Sequence, residues 1–241
     1  MRAEKKVLAY PALFFSINDI KGSGKSADSS KWDRERLARL HPVITLSEYK
    51  RLTRKRRLVV SGEAILESKL DGYLAIVYGG KVYTGSGRRA PPWMRHALSD
   101  AGIDIEAAGS RIAFLEIYGR CASPGGFHRS DERCYRVALV DAFVHRAYAG
   151  GVEEAVFLAR SLGLEERIGL GETMGAEAPS AKVIVLSGAP EPWELRSMLT
   201  MFRGYEGYVL KLYSEKGHAL PPDYGAKLRG LLEVKIKHGS V

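Results

Sequence analysis

The chain has 241 residues, 45% of them hydrophobic and 27% charged, with a formal net charge of +9. That length holds one large domain, or one domain with a small appendage. No apolar stretch approaches the length of a bilayer span, and the opening Met1-Arg2-Ala3-Glu4-Lys5-Lys6 runs into a short apolar segment broken by Pro11, so a cytoplasmic protein with no membrane partner is expected. The surplus of positive charge favours a polyanionic partner such as nucleic acid. Glutamine is absent and Asn18 is the single asparagine, a scarcity of heat-labile amides that points to a thermophilic source. Cys121 and Cys134 form no Cys-x-x-Cys pair, and with His128 between them they read as ordinary thiols rather than a zinc site.

In chain order, residues 1–57 read as an N-terminal helical and loop region with a basic cluster, and residues 58–241 as the main domain. Ile20 to Lys31 is rich in Gly, Ser and Lys and predicts a loop. It contains Gly22-Ser23-Gly24-Lys25-Ser26, but Asp19 stands where a phosphate loop needs its first glycine. Thr45 followed by Glu48 is a capping box for a helix running into Lys50, Arg51, Arg54, Lys55, Arg56 and Arg57, a candidate phosphate-contact patch.

Strand signals begin at Leu58 to Val60 and Ala64 to Ser68. Tyr73 to Tyr78 and Lys81 to Thr84 flank Gly79-Gly80, which predicts a hairpin. Pro91-Pro92 opens a helix to about Ala101. Arg111 to Tyr118 and Tyr135 to His145 follow as strands. The stripe Val152, Ala155, Val156, Ala159 and Leu162 predicts a helix ended by Gly163. Lys182 to Leu186 reads as a strand, and Pro192 as the start of another helix. Tyr208 to Tyr213 and Leu231 to Lys237 alternate as strands. Hairpin-linked strands with a few helices between them argue for an α+β fold with largely antiparallel sheets.

Five stretches could carry chemistry. Lys69-Leu70-Asp71-Gly72 follows Glu67 by two residues, so Glu67 and Lys69 share one face of an extended segment. An amine attacks phosphorus only when neutral, so a nucleophilic lysine needs neighbouring cations or burial to shed its proton. Glu116 lies inside the apolar run Phe114 to Gly119, where a buried carboxylate needs a partner. In Glu206-Gly207-Tyr208-Val209-Leu210-Lys211, alternation puts Glu206 with Tyr208 and Leu210, and Lys211 on the opposite face. Lys235 and Lys237 share a face of the last strand, a like-charge pair that an anion between them would relieve. Arg88 and Arg89 follow Gly85-Ser86-Gly87 and could bind a phosphate.

Taken together and in this order, these stretches resemble the covalent nucleotidyltransferase superfamily, which comprises ATP-dependent DNA ligases, RNA ligases and mRNA-capping guanylyltransferases. The nucleophile motif Lys-x-Asp-Gly is matched by Lys69, Asp71 and Gly72, the third motif's glutamate by Glu116, the fourth motif by Glu206 to Lys211, and the closing lysine pair by Lys235 and Lys237. The likeness covers roughly residues 58 to 238. Glu-Ile-Tyr-Gly at 116–119 and Glu-Gly-Tyr-Val-Leu-Lys lean towards RNA ligases of the second phage type.

The resemblance implies a nucleotidyltransferase (ATP-grasp-like ligase) domain of two antiparallel sheets with flanking helices. It further implies an ATP-dependent RNA ligase that passes through lysyl-AMP, transfers AMP to a 5′-phosphate and seals to a 3′-hydroxyl. The alternatives are an ATP-dependent DNA ligase or a capping-type guanylyltransferase. Lys69 would be the nucleophile, with Lys211, Lys235 and Lys237 neutralising phosphates. Glu67 and its backbone neighbours would contact the adenine, Asp71, Arg88 and Glu116 would orient ribose and phosphate, and Ser68, Leu70, Gly72 and Arg89 would bind the same nucleotide. Glu116 and Glu206 would hold Mg²⁺ or Mn²⁺. The family places an aromatic on the base just before an aspartate; here Val140 precedes Asp141, so an apolar contact replaces it. Only His238 to Val241 follow the last lysine, with no OB domain. That leaves a minimal ligase, a stand-alone transferase, or an enzyme completed by a second copy or an accessory domain in trans. The nucleic-acid partner implied is RNA with 5′-phosphate and 3′-hydroxyl ends, or DNA.

Overall fold

The computed structural model describes residues 13–14, 43–54, 64–85, 88–119, 135–149, 155–178, 182–218 and 228–238. The Gly- and Ser-rich stretch at 20–31, the extended stretch at 58–60, Lys55 to Arg57, Cys121, His128 and Cys134 lie outside the described residues.

The elements are β1 (Leu13–Phe14), β2 (Val43–Thr45), α1 (Leu46–Arg54), β3 (Ala64–Lys69), β4 (Gly72–Tyr78), β5 (Lys81–Thr84), α2 (Pro92–Asp100), β6 (Arg111–Gly119), β7 (Tyr135–Ala149), β8 (Ala155–Ser161), α3 (Leu164–Met174), β9 (Val183–Leu186), β10 (Gly207–His218) and β11 (Leu228–Lys237). They form two sheets. The six-stranded sheet runs β1-β8-β7-β6-β4-β5 and the five-stranded sheet β2-β11-β10-β3-β9. Every pairing is antiparallel except β2 with β11, which is parallel. The α+β expectation holds, with that one parallel edge as its exception.

Strand alternation sorts the residues. On the six-stranded sheet, Ala75, Val77, Ala113, Leu115 and Ile117 pack beneath Met94, Ala97 and Leu98 of α2 and Leu170 and Met174 of α3. Ile76, Ile112 and Phe114, on the opposite face, join a second core. That core takes in Leu66, Tyr208, Leu210, Val234 and Ile236 of the five-stranded sheet and Leu46 and Tyr49 of α1. The remaining face of the five-stranded sheet carries the charged residues. The capping box that starts α1 forms as expected: the Glu48 carboxylate accepts from Thr45 N at 2.9 Å, and Thr45 Oγ1 accepts from Glu48 N at 3.2 Å.

Two expected helices are absent. Ala155–Ser161 is a strand paired along its length with β7, and the helix begins later, at Leu164. The apolar run from Ala155 to Ala159 fits a strand as well as a helical stripe, and pairing with β7 decides between them. From Pro192 the chain makes turns and then a 3-10 helix, Ser197–Phe202. Here the Leu195 carbonyl, which an α-helix would give to the N–H of Leu199, accepts from the buried Tyr208 hydroxyl. Leu199 N donates to Arg196 O instead, at 3.2 Å.

Candidate active site

A cleft of about 730 Å³, including its open mouth, is walled by both sheets. The five-stranded sheet contributes Glu67, Ser68 and Lys69 from β3, Val209 and Lys211 from β10, and Glu233 and Lys235 from β11. Leu70 lines it just past β3. The six-stranded sheet contributes Gly72, Leu74, Glu116 and Val140. Register explains the convergence. Glu67, Val209 and Lys235 stand opposite one another across three strands, as do Ile65, Lys211 and Glu233, so each set projects from the same face.

The two motif glycines serve the sheets. A Cβ on Gly72 would lie 2.3 Å from the Ile117 carbonyl oxygen, and one on Gly207 would lie 2.1 Å from the Ile236 oxygen. Gly207 also has φ +155°. Both glycines are therefore demanded by neighbouring backbone.

At the mouth, Glu206 accepts from Lys69 Nζ through one carboxylate oxygen and from Lys237 Nζ through the other. This corrects the alternation argument. β10 starts at Gly207, so Glu206 precedes the strand and does not share the core face of Tyr208 and Leu210. Burial acts to raise the Glu206 pKa, but hydrogen bonds and charge from Lys237 and Lys69 outweigh it and hold the carboxyl below its usual value. The contact that Lys69 makes is thus with a carboxylate rather than with the other lysines.

Glu116 lies on the opposite wall. Its carboxyl is pushed up to about 7, chiefly by burial; Lys69 and Lys235 oppose the shift, and Glu206 and Asp71 add to it. Asp71 is exposed and does not line the cleft. Neither do Arg88 and Arg89, which are exposed; the Arg89 guanidinium lies 5.2 Å over the Tyr83 ring.

The deep end holds a cluster that the sequence signals only in part. Lys211 Nζ contacts Glu67 Oε2 at 2.7 Å and the Val140 carbonyl, and lies 3.8 Å from both Asp141 and Glu233. Arg167 of α3, with no exposed surface, donates through Nη1 to the same Glu67 oxygen at 2.9 Å and the same Val140 carbonyl at 2.7 Å. Glu67, Asp141, Lys211 and Glu233 are buried with it. Burial dominates at Asp141 and raises its carboxyl pKa.

A β-bulge builds this corner. Phe114 pairs with Asp141 while the next residue, Leu115, pairs with Leu139, so Val140 is the extra residue of β7. The bulge shifts the alternation by one: Val137, Leu139 and Ala142 all lie in the core under the helices. Val140 and Asp141 consequently both turn inward, Val140 to line the cleft and Asp141 to face Lys211.

Arg167, Asp141 and Glu233 complete the site beyond the residues expected from sequence. Arg167 follows Glu165 and Glu166 beyond Gly163, where no element was expected, and Glu233 reads as an ordinary polar strand position. Among the described residues, no group of three or more His, Cys, Asp or Glu could hold a metal ion, and no helix is long and apolar enough to cross a membrane.

No protein-family model matches the chain, and no curated protein matches it. Solved structures do. A putative ATP-dependent DNA ligase from Aquifex aeolicus aligns with a TM-score of 0.42 and 18% identity, over 73% of this chain and 44% of the ligase. An archaeal ATP-dependent RNA ligase, in one form, aligns with a TM-score of 0.42 and 17% identity, over 80% of this chain and 45% of the ligase. A second form of that archaeal enzyme gives a TM-score of 0.41 and 17% identity, over 79% and 45%. The chain spans less than half the length of these ligases.

Proposed function

We propose that this chain is an ATP-dependent nucleotidyltransferase that joins polynucleotide ends, with RNA as its preferred substrate, and that residues 58–241 form its adenylyl-transferring domain. The observation that carries the reading is convergence. Lys69, Glu116, Lys211 and Lys235 come from four strands spread over more than 160 residues, yet all line one cleft, and Glu206 and Lys237 meet Lys69 at its mouth. Scattered surface charge has no reason to collect in this way.

ATP enters with its adenine towards Val140, which supplies an apolar surface in place of an aromatic ring, and its phosphates towards Lys211 and Lys235. The triphosphate competes with Glu206 for Lys69 and Lys237 and so opens the mouth ion pairs. Lys69 Nζ, having lost a proton, then attacks the α-phosphorus. An N–P bond forms, the P–O bond to pyrophosphate breaks, and the cationic lysines take up the charge that leaves with it. A 5′-phosphate oxygen of the polynucleotide next attacks the same phosphorus, breaking the N–P bond and returning the amine. Finally the 3′-oxygen attacks the 5′-phosphate, expels AMP and closes the strand.

The residues present fit a metal ion only in part. Both Glu206 oxygens are engaged by lysines, and Glu67 and Glu233 face Lys211, which leaves Glu116, among the described residues lining the cleft, as the carboxylate suited to Mg²⁺ or Mn²⁺. One carboxylate together with substrate phosphates is a usual coordination set for Mg²⁺. Such an ion, when bound, supplies charge neutralisation at the phosphates.

The deciding experiment uses ATP labelled at the α-phosphate, with GTP in parallel. Label should remain on the denatured protein with ATP, disappear in Lys69→Ala and fall strongly in Lys211→Ala. Label persisting in Lys69→Ala would mean that a different residue is the nucleophile. For the polynucleotide, nicked duplexes differing only in ribose or deoxyribose at the 3′ side decide. Equal sealing of both rejects the preference for RNA.

A further inference from the structure

The geometry points to Arg167 as a positioning residue that releases Lys211 to the nucleotide, an inference that rests on the nucleotidyl-transfer reading above. Arg167 Nη1 and Lys211 Nζ share two acceptors, Glu67 Oε2 and the Val140 carbonyl. One cation is enough to satisfy that pair of oxygens, and the site has two. Only one of the two lines the cleft: Lys211 does, whereas Arg167 is wholly buried behind it.

This redundancy has a physical consequence. For Lys211 to bind phosphate it must turn away from Glu67, which is 2% exposed. If Lys211 were the only cation present, its departure would strand a buried carboxylate, and uncompensated buried charges are strongly unfavourable. Arg167 stays on Glu67 and removes that penalty there; Asp141 and Glu233, at 3.8 Å, are more weakly tied to Lys211. It also keeps its bond to the Val140 carbonyl, so the bulge that presents Val140 to the cleft does not relax when Lys211 moves. Arg167 thus acts through Lys211 and Val140 without touching the nucleotide.

The test compares Arg167→Leu, Arg167→Lys and the double variant Arg167→Leu/Glu67→Leu with the wild-type chain. Affinity for inorganic tripolyphosphate, measured by calorimetry, reads whether Lys211 is available without requiring any chemistry. The rate of lysyl-AMP formation at saturating ATP is measured alongside it, and thermal unfolding verifies the fold. In Arg167→Leu, tripolyphosphate affinity and the saturated rate should both drop by about tenfold or more, because Lys211 is locked on Glu67. Arg167→Lys, which keeps the charge, should stay within roughly threefold of wild type. The double variant should recover most of the lost affinity, since Lys211 then keeps the Val140 carbonyl and the 3.8 Å contacts with Asp141 and Glu233 but no longer the close pair with Glu67.

A simple structural strut predicts the opposite for the double variant, which loses more buried contacts than the single one. Wild-type affinity in Arg167→Leu, or a double variant that binds no better than the single, overturns the inference. If Arg167→Leu fails to fold, the double variant decides: folded but unable to bind tripolyphosphate, it refutes the idea. A wild-type chain that binds tripolyphosphate yet takes no label from ATP rejects the transferase reading alone. The binding comparison still decides the role of Arg167.

Discussion

The two ends of the cleft use the same ingredients, lysines against glutamates, under opposite conditions. At the mouth, the Lys237 side chain is 47% exposed and that of Glu206 23%. At the deep end, the Lys211 side chain is 3% exposed and that of Glu67 2%. Water competes most for the exposed Lys237 at the mouth, so its pair with Glu206 contributes little and exchanges readily for another anion; the pair of Glu206 with Lys69, 15% exposed, is more sheltered. Nothing competes at the deep end, so breaking a pair there leaves a desolvated charge behind. A binding cleft with this gradient has a replaceable ionic cover over a fixed ionic floor.

Removing charge from the floor should therefore cost most. Glu67→Ala leaves Arg167 and Lys211 buried without their shared carboxylate and is expected to destabilise the fold by about 3–5 kcal/mol. Urea titration followed by circular dichroism measures this. A loss below about 1 kcal/mol would show that the floor is far wetter than its burial implies.

Titration of the buried carboxyls comes next in size. Glu116 titrates near 7 in the fold because burial disfavours its charged form, and Asp141 is raised for the same reason. Between the ordinary Glu value of 4.5 and about 7, the folded chain holds more protons than the unfolded chain. Stability without nucleotide should therefore fall as pH rises through that window, by on the order of 2 kcal/mol. Glu116→Gln should flatten the fall in part, leaving the share due to Asp141. Glu206 acts in the other direction: its carboxyl is held low, so its contribution is present at neutral pH and is lost as the solution is acidified. A melting temperature that climbs from pH 5 to pH 7 would reverse the assignment of buried, protonated carboxyls.

The mouth and the floor also differed in how readable they were from sequence. At the mouth, Lys69 and the pair Lys235 and Lys237 stand in extended runs whose period of two fixes the face each side chain occupies, as it does for Lys211 on the floor; their roles came from the family resemblance of the motifs taken together. Glu206 was the exception, because the strand begins one residue after it. The floor depends on pairings that spacing does not encode. Arg167 reaches Glu67 across 100 residues, and only the packing of α3 against the six-stranded sheet brings it there. The bulge at Val140 leaves no mark in the run Tyr135 to Phe143, yet it reverses which residues of β7 face the cleft. The strand at Ala155–Ser161 was hidden for a related reason: its apolar residues satisfy a helical stripe, and the partner that makes it a strand is β7.

The smallest effect tests the cover itself. Lys237→Ala removes an exposed partner from Glu206 while Lys69 keeps the other carboxylate oxygen. Stability should change by no more than about 1 kcal/mol, and adding salt to roughly 0.5 M should erase most of what change there is, since the Debye length then falls to a few ångströms. Nucleotide capture should respond differently. Glu206, left with Lys69 as its one side-chain partner among the described residues, should hold this lysine, the proposed nucleophile, more firmly, so that ATP needs a higher concentration to displace it. A rise in the ATP concentration at half-maximal labelling, with stability nearly unchanged, separates a replaceable cover from a structural tie. A large loss of stability at high salt would place the mouth in the same class as the floor and remove the gradient on which both roles depend.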